Sequence, residues 1–296
     1  MYDALRRIFP DMRLFTNESM AAHTSFKIGG PAEIFAQAES REELLEIAAL
    51  CRKRGVRLSL LGCGTNVLIN DGGLSGVTVQ LYPHFCKHIV KGSTVTAEAG
   101  LTLHKLAETA REYGLAGMEF ASGIPGSVGG AAYMNAGAYG GEMAQIFVSA
   151  EVLTPDGNVR TFYKNEMGFA YRRSILQDNG GIVLSATLAL TPGDPVEIQK
   201  KTVELNARRR EKQPLDFPSA GSTFKRPEGY YAGELIAKSG LQGFAIGGAR
   251  VSEKHAGFIV NAGGATADDV LKLIEHVKQT VYAQFGVALE PEVKVL

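Results

Sequence analysis

The glycines of this chain are clustered, and the clusters limit what it can fold into. Residues 121–142, ASGIPGSVGGAAYMNAGAYGGE, hold Gly123, Gly126, Gly129, Gly130, Gly137, Gly140 and Gly141. Glycine costs about 1 kcal/mol against alanine inside a helix, so the stretch is too glycine-rich for a stable one. Ile124, Val128, Tyr133 and Met134 make it too apolar for a flexible linker. Backbone approaching a large planar or phosphorylated ligand explains it better, because glycine removes the side-chain obstacle. A second cluster, LGCGTNVLINDGG at 61–73, runs from a strand into glycines beside Thr65 and Asn66. It lacks the third glycine of the dinucleotide fingerprint and the Gly-Lys-Ser/Thr of a P-loop. A turn of this kind can aim backbone N–H groups at a phosphate, or it can be a tight surface turn.

Composition narrows the classes further. Lys plus Arg and Asp plus Glu are 31 each, so the net charge is zero. A protein that works by coating nucleic acid or an anionic membrane is not expected. The 296 residues are a soft prior for two domains at about 150 residues each. Cys51, Cys63 and Cys86 form no CxxC pair, which favours a reducing, cytoplasmic setting. No apolar run approaches the roughly 18 residues of a membrane helix. The N-terminus, MYDALRRIFPDMR, has neither the apolar core nor the cleavage site of a secretory signal. His84-Phe-Cys-Lys-His88 resembles a metal tract but lacks the partner ligands of a zinc site, so no metal is expected.

Periodicity and capping signals place the elements. Helices are expected at 40–55, 102–113, 195–212, 234–239 and 267–285. Thr266 and Asp269 can cap the last helix, and Gly286 can end it. Strands are expected at 56–61, 67–69, 76–82, 94–98 and 182–190, with a hairpin over 148–162 turning at Pro155-Asp156-Gly157. The last ten residues read as a strand interrupted by Pro291. Helices and strands mix without the rhythm of a doubly wound sheet, and the best domain break is Thr191–Pro195.

Three short segments could carry chemistry. In AYRRSI, 170–175, an arginine could clamp a carboxylate bidentately, although paired arginines are more often a solvated face. In SAGSTFKRP, 219–227, Ser222 sits in a glycine turn with Lys225 close behind. Its hydroxyl is a weak acid in water and would need a nearby cation or a strongly basic carbanion to act as a proton donor. In LEPEVKVL, 289–296, Glu290 and Glu292 would share a face of a regular strand, which Pro291 leaves open.

Together these segments resemble the UDP-N-acetylenolpyruvoylglucosamine reductase (MurB) family, from Thr24–Gly30 to Glu290–Val293, in its shorter form without the capping tyrosine loop. The resemblance implies an α+β protein with an FAD-binding fold of the vanillyl-alcohol-oxidase type. The subdomains would be 1–80 and 81–193, followed by a substrate-binding domain at 194–296 whose segment 287–296 reaches the active site. It implies FAD and NADPH as cofactors. FAD would be held by Ile28, Gly29 and Gly30, and by Leu61, Gly62, Cys63, Gly64, Thr65 and Asn66. The third FAD-binding segment would supply Ser122, Gly123, Ile124, Pro125, Gly126, Gly129, Gly130, Asn135, Ala136, Gly137 and Ala138. Cys63 stands where the family often has glycine.

The implied reaction reduces UDP-N-acetylglucosamine enolpyruvate to UDP-N-acetylmuramate, a peptidoglycan precursor. By the same resemblance Arg172 binds the substrate carboxylate, Ser222 donates the proton and Glu292 polarises and positions that carboxylate. Tyr171, Lys225 and Arg226 would contact substrate, Lys225 and Arg226 at its diphosphate. The competing readings are another FAD oxidoreductase of this fold acting on a small alcohol, and a nucleotide-sugar-binding module without catalysis.

Overall fold

A computed structural model describes residues 1–8 and 13–296; part of the N-terminal stretch read for a signal, 9–12, lies outside the described residues. The chain divides into two compact units, each made of three separate segments. The first holds 1–16, 34–63 and 76–209, and the second holds 17–33, 64–75 and 210–296. This division differs from the expected boundaries at 80/81 and 193/194. Helix Pro195–Lys212 stays with the first unit through Arg209, and the expected break at Thr191–Pro195 is held by pairing of Thr191–Pro192 with Leu115–Ala116.

In the first unit, a five-stranded antiparallel sheet runs in the order Val159–Tyr163, Phe147–Leu153, Ile182–Ala189, Thr94–Glu98, His88–Lys91. A second sheet pairs Leu58–Leu61 in parallel with Leu74–Gln80, in register Leu58↔Val77 to Leu61↔Gln80. Helix Arg41–Arg54 buries Leu44, Ile47 and Cys51, three and four residues apart as one helical face requires. Ser40 Oγ accepts the Glu43 N–H at 3.2 Å to start that helix. Helix Leu103–Glu112 buries Leu103, Leu106, Ala107 and Ala110 and starts on the Thr102 hydroxyl. These faces close one apolar core running from Leu5 to Leu190.

The second unit is built around helix Ala267–Phe285, which occupies the expected residues. Thr266 Oγ1 accepts the Asp269 N–H at 3.0 Å and Asp269 returns the bond to Thr266 N–H, also at 3.0 Å. Val270, Leu273, Ile274, Val277 and Val281 pack with helix Ala232–Lys238 and the sheet Ala245–Ile246, Ala249–Val251, Ile259–Asn261.

Two expectations fail in instructive ways. Val128–Met134, inside the stretch read as too glycine-rich, is an α-helix. Ser127 Oγ caps it through Gly130 N–H at 3.3 Å, Asn135 ends it in the left-handed region at φ 44, and Val128, Ala131, Ala132 and Met134 are buried. Packing outweighs propensity here: a Cβ on Gly129 would lie 2.8 Å from the Ala99 Cβ, so the helix uses its glycine to come close. The C-terminal strand shrinks to Lys294–Val295, paired in parallel with Val67–Leu68. Strands Leu14–Ser19 and Pro31–Gln37 were not anticipated from the sequence.

Candidate active site

Within the first unit, the Tyr171-Arg172 pair forms a tight turn. Ala170 and Arg173 exchange both backbone hydrogen bonds at 3.1 Å, and Arg172 sits at φ 55. A non-glycine residue in the left-handed region stores about 1 kcal/mol or more and persists where the surroundings hold it. Here amide side chains do so. Asn135 Nδ2 donates to Ala170 O at 3.0 Å, and Gln177 Nε2 donates to Arg172 O at 3.0 Å and to Tyr133 O at 3.1 Å. Ser174 Oγ donates to Tyr133 O at 2.7 Å. The Arg172 guanidinium lies 5.2 Å from the ring centroid of Tyr171, which is half exposed.

The glycine segments of this unit have reasons of their own. A Cβ on Gly62 would overlap Ser127 Oγ, which brings the loop after Leu61 against the start of helix Val128–Met134. A Cβ on Gly123 would overlap Asn206 Oδ1 and lie 3.2 Å from Arg209 Cδ. The expected cofactor loop at 122–126 therefore packs on helix Pro195–Lys212. Asn135 is 1% exposed and its carbonyl also accepts Ala144 N–H at 2.9 Å, so both ends of its amide are engaged inside the protein. Leu61 and Ser122 are buried as well, and Ala136–Ala138 lead into a two-residue strand, Gly137–Ala138, paired with Gly141–Glu142. Burial pushes the Cys63 thiol up to about 11, so it is a neutral thiol at neutral pH.

In the second unit, Ser222 follows Gly221 at φ 78 and precedes a backbone ladder. Thr223 N–H donates to Gly257 O at 2.8 Å, Thr223 O accepts Glu292 N–H at 2.8 Å, and Lys225 N–H donates to Glu290 O at 2.8 Å. The antiparallel bridge between Phe224 and Pro291 thus sets Ser222 and Glu292 in one frame. Pro291 fits because neither bond of this bridge needs its missing N–H. Lys225 Nζ pairs with the Glu290 carboxylate, and Asn66 Nδ2 donates to Glu292 O at 3.3 Å. Asn66 O also accepts Lys294 N–H at 3.0 Å. The Ser222 hydroxyl donates to Phe224 O at 3.2 Å. Arg226 stacks 4.0 Å over the exposed Tyr231 ring. Ile28 is buried in this unit's core, and Gly29 and Gly30 follow it, with Gly30 N–H donating to Asn70 O at 3.0 Å.

The donor set fits FAD. In the first unit the N–H groups of Cys63 and Gly123, and in the second those of Gly64 and Asn66, donate to no group among the described residues, and backbone donors of this kind suit a phosphate. Arg209, beside Gly123, is largely desolvated, which lowers its pKa, and it has no carboxylate partner among the described residues. A largely desolvated guanidinium with no carboxylate partner among the described residues suits an anion. Sequence reading saw Arg208–Arg210 only as a helix end and missed Asn206, Arg209, Gln177, Thr223 and His255. No local pattern marks any of them: Asn206 and Arg209 meet Gly123 far along the chain, Thr223 bonds to Gly257 and Glu292, and the short-range bonds of Gln177 to Arg172 O and of His255 to Gly257 N–H follow no periodicity. Among the described residues no cluster of three His, Cys, Asp or Glu could hold a metal, and no helix is long and apolar enough to cross a membrane.

Comparison with known proteins supports FAD as the cofactor. The FAD binding domain family matches residues 32–163, and the C-terminal domain family of UDP-N-acetylenolpyruvoylglucosamine reductase matches 213–296. The chain is 51% identical to UDP-N-acetylenolpyruvoylglucosamine reductase of Caldanaerobacter subterraneus over 100% of its own length and 98% of the relative's. It is 46% identical to that of Clostridium perfringens, covering 100% and 97%. Among solved structures it is similar to the MurB reductase of Thermus caldophilus, with TM-score 0.81 and 36% identity over 94% of this chain and 97% of that one. An alkyldihydroxyacetonephosphate synthase, 18% identical with TM-score 0.50 over 64% of this chain and 40% of that one, shares the fold alone.

The fold and the matched families therefore define an FAD-dependent oxidoreductase with an α+β architecture. Full-length identity at this level narrows the class: the chain belongs to the UDP-N-acetylenolpyruvoylglucosamine reductase family, flavoenzymes of peptidoglycan precursor synthesis.

Proposed function

We propose that this chain reduces UDP-N-acetylglucosamine enolpyruvate to UDP-N-acetylmuramate with NADPH, in the cytoplasm, and that Arg172, Ser222 and Glu292 act on the substrate. When bound, FAD supplies a hydride acceptor for NADPH and a hydride donor for the terminal carbon of the substrate's alkene. As that carbon gains the hydride, the electron pair of the π bond moves to the neighbouring carbon and into its carboxylate. Arg172 offers a bidentate guanidinium to that carboxylate where charge develops. Ser222 gives its Oγ proton to the neighbouring carbon, and a carbanion is basic enough to accept from a hydroxyl. Glu292 helps to polarise and position the carboxylate. Lys225 and Arg226 meet the diphosphate. The backbone N–H groups of Cys63, Gly64, Asn66 and Gly123, with the Arg209 guanidinium, meet FAD.

The observation that carries this reading is the ladder joining Ser222, through Thr223, to Glu292, because it holds a weak acid and its partner carboxylate in one frame. Ser222→Ala tests it. Flavin reduction by NADPH should stay within about twofold, and reoxidation by the enolpyruvyl substrate should slow by about 10²–10⁴-fold, the usual worth of a general acid. Equal loss in both half-reactions would remove Ser222 from the role.

A further inference from the structure

His255 lies outside the residues given a role above, yet the backbone ties it to Ser222. Gly257 N–H donates to His255 Nδ1 at 3.1 Å. Gly257 O accepts Thr223 N–H at 2.8 Å, and Thr223 O accepts Glu292 N–H at 2.8 Å. Thr223 is fixed on a third side, where its Oγ1 accepts Ile259 N–H at 3.0 Å. Ser222 is the next residue in the chain, so its position depends on this chain of bonds. Two glycines clear the space around the imidazole. The Cβ that Gly257 lacks would lie 3.0 Å from His255 Cε1 and 3.6 Å from Ser222 Oγ, and the one that Gly233 lacks would lie 3.2 Å from His255 Cε1.

We propose that His255 is a positioning residue for the proton donor: its unprotonated Nδ1 holds the Gly257 peptide, which holds Thr223 and so aims Ser222. The inference rests on the proton-donor reading of Ser222. The bond requires Nδ1 to be an acceptor, so the neutral ring carries its proton on Nε2. Burial holds the imidazole below its ordinary value; the hydrogen bond to its own backbone opposes this, and the charge of Lys212 adds to it. Lys212 faces the ring from helix Pro195–Lys212, while helix Ala232–Lys238 presents the uncharged Gly233. On the ring's own loop, Ser252 Oγ accepts His255 N–H at 3.3 Å, and Lys254 Nζ is engaged by Arg210 O at 2.7 Å. The Phe258 ring packs edge-on, 5.0 Å away. No carboxylate faces the ring among the described residues. Protonation would place a second N–H against Gly257 N–H. The bond is therefore present near neutral pH and lost as pH falls through the lowered value, below about 6.5.

The test compares wild type, His255→Asn, His255→Phe and Ser222→Ala as holoenzymes reduced by NADPH. Reoxidation by the enolpyruvyl substrate is followed from pH 5 to 8. Asn places Oδ1 where Nδ1 stands and does not titrate, whereas Phe removes the acceptor. Wild type should lose reoxidation rate at the acid end, and His255→Asn should keep most of the neutral rate and lose that acid limb. His255→Phe should be slower by about 10- to 100-fold at every pH, with reduction by NADPH unchanged. Protection of the Gly257 and Thr223 amides in the FAD-free protein, read as exchange relative to the intrinsic rate at each pH, should fall at acid pH in wild type but not in His255→Asn. An acid limb shared by wild type and the Asn variant, or unaltered protection, would overturn the inference even if His255→Phe fails to fold. Ser222→Ala reads the other claim. If it spares reoxidation, the proton-donor reading fails, while the exchange data still judge the His255 bond.

Discussion

The Arg172 turn and the Ser222 segment solve the same problem, holding one polar side chain still, by opposite means. The Arg172 turn is local. Its supports, Tyr133, Asn135, Ser174 and Gln177, lie within about 40 residues of it, and they are mostly side chains clasping carbonyls. The Ser222 segment is non-local. Its supports come from residues 257, 259, 290 and 292, and they are mostly backbone groups. Side-chain substitution should therefore disturb the first region directly, and the second only where a side chain ends the ladder, as His255 does.

Four substitutions sharpen or break that contrast, beginning with the largest effect. Arg172→Lys keeps the charge and loses the fork, so kcat/KM for the enolpyruvyl substrate should fall by about 10²–10³-fold while flavin reduction by NADPH is spared. A spared kcat/KM would show that the arginine is part of a solvated face. Asn135→Ala leaves Ala144 N–H unpaired and takes one of the two bonds from Ala170 O, and urea unfolding should lose about 2–4 kcal/mol. A loss below about 0.5 kcal/mol would mean the turn holds itself. Gly123→Ala forces the loop off Asn206, costing about 1–3 kcal/mol, and Asn206→Ala in the same chain should return part of that. Strict additivity of the pair would deny the contact. Thr266→Ala removes a helix cap far from both segments. It should cost about 1 kcal/mol in thermal unfolding and leave both half-reactions alone.

The same contrast governs how much could be read from the sequence. Helix Ala267–Phe285 was legible to its last residue, because its cap, its buried face and its terminal Gly286 are all encoded within about 20 residues. Helix Val128–Met134 was not legible, because what stabilises it is close packing on Ala99, 30 residues away. The Ser222 motif was visible as a motif, but not its frame, because bonds from Gly257 and Glu292 leave no periodic trace. His255, in SEKHAGF, carries no pattern at all. Glycine clustering pointed to a ligand, and several of those glycines also serve the protein's own packing, at Gly62 against Ser127 and at Gly123 against Asn206.

The central claim is that one flavin links NADPH to the enolpyruvyl substrate, and an anaerobic absorbance trace of the purified chain with FAD tests it most directly. One equivalent of NADPH should bleach the flavin band, and UDP-N-acetylglucosamine enolpyruvate should restore it in stoichiometric amount. Bleaching without recovery would contradict the substrate assignment, and the absence of any flavin band after incubation with FAD would contradict the cofactor site itself.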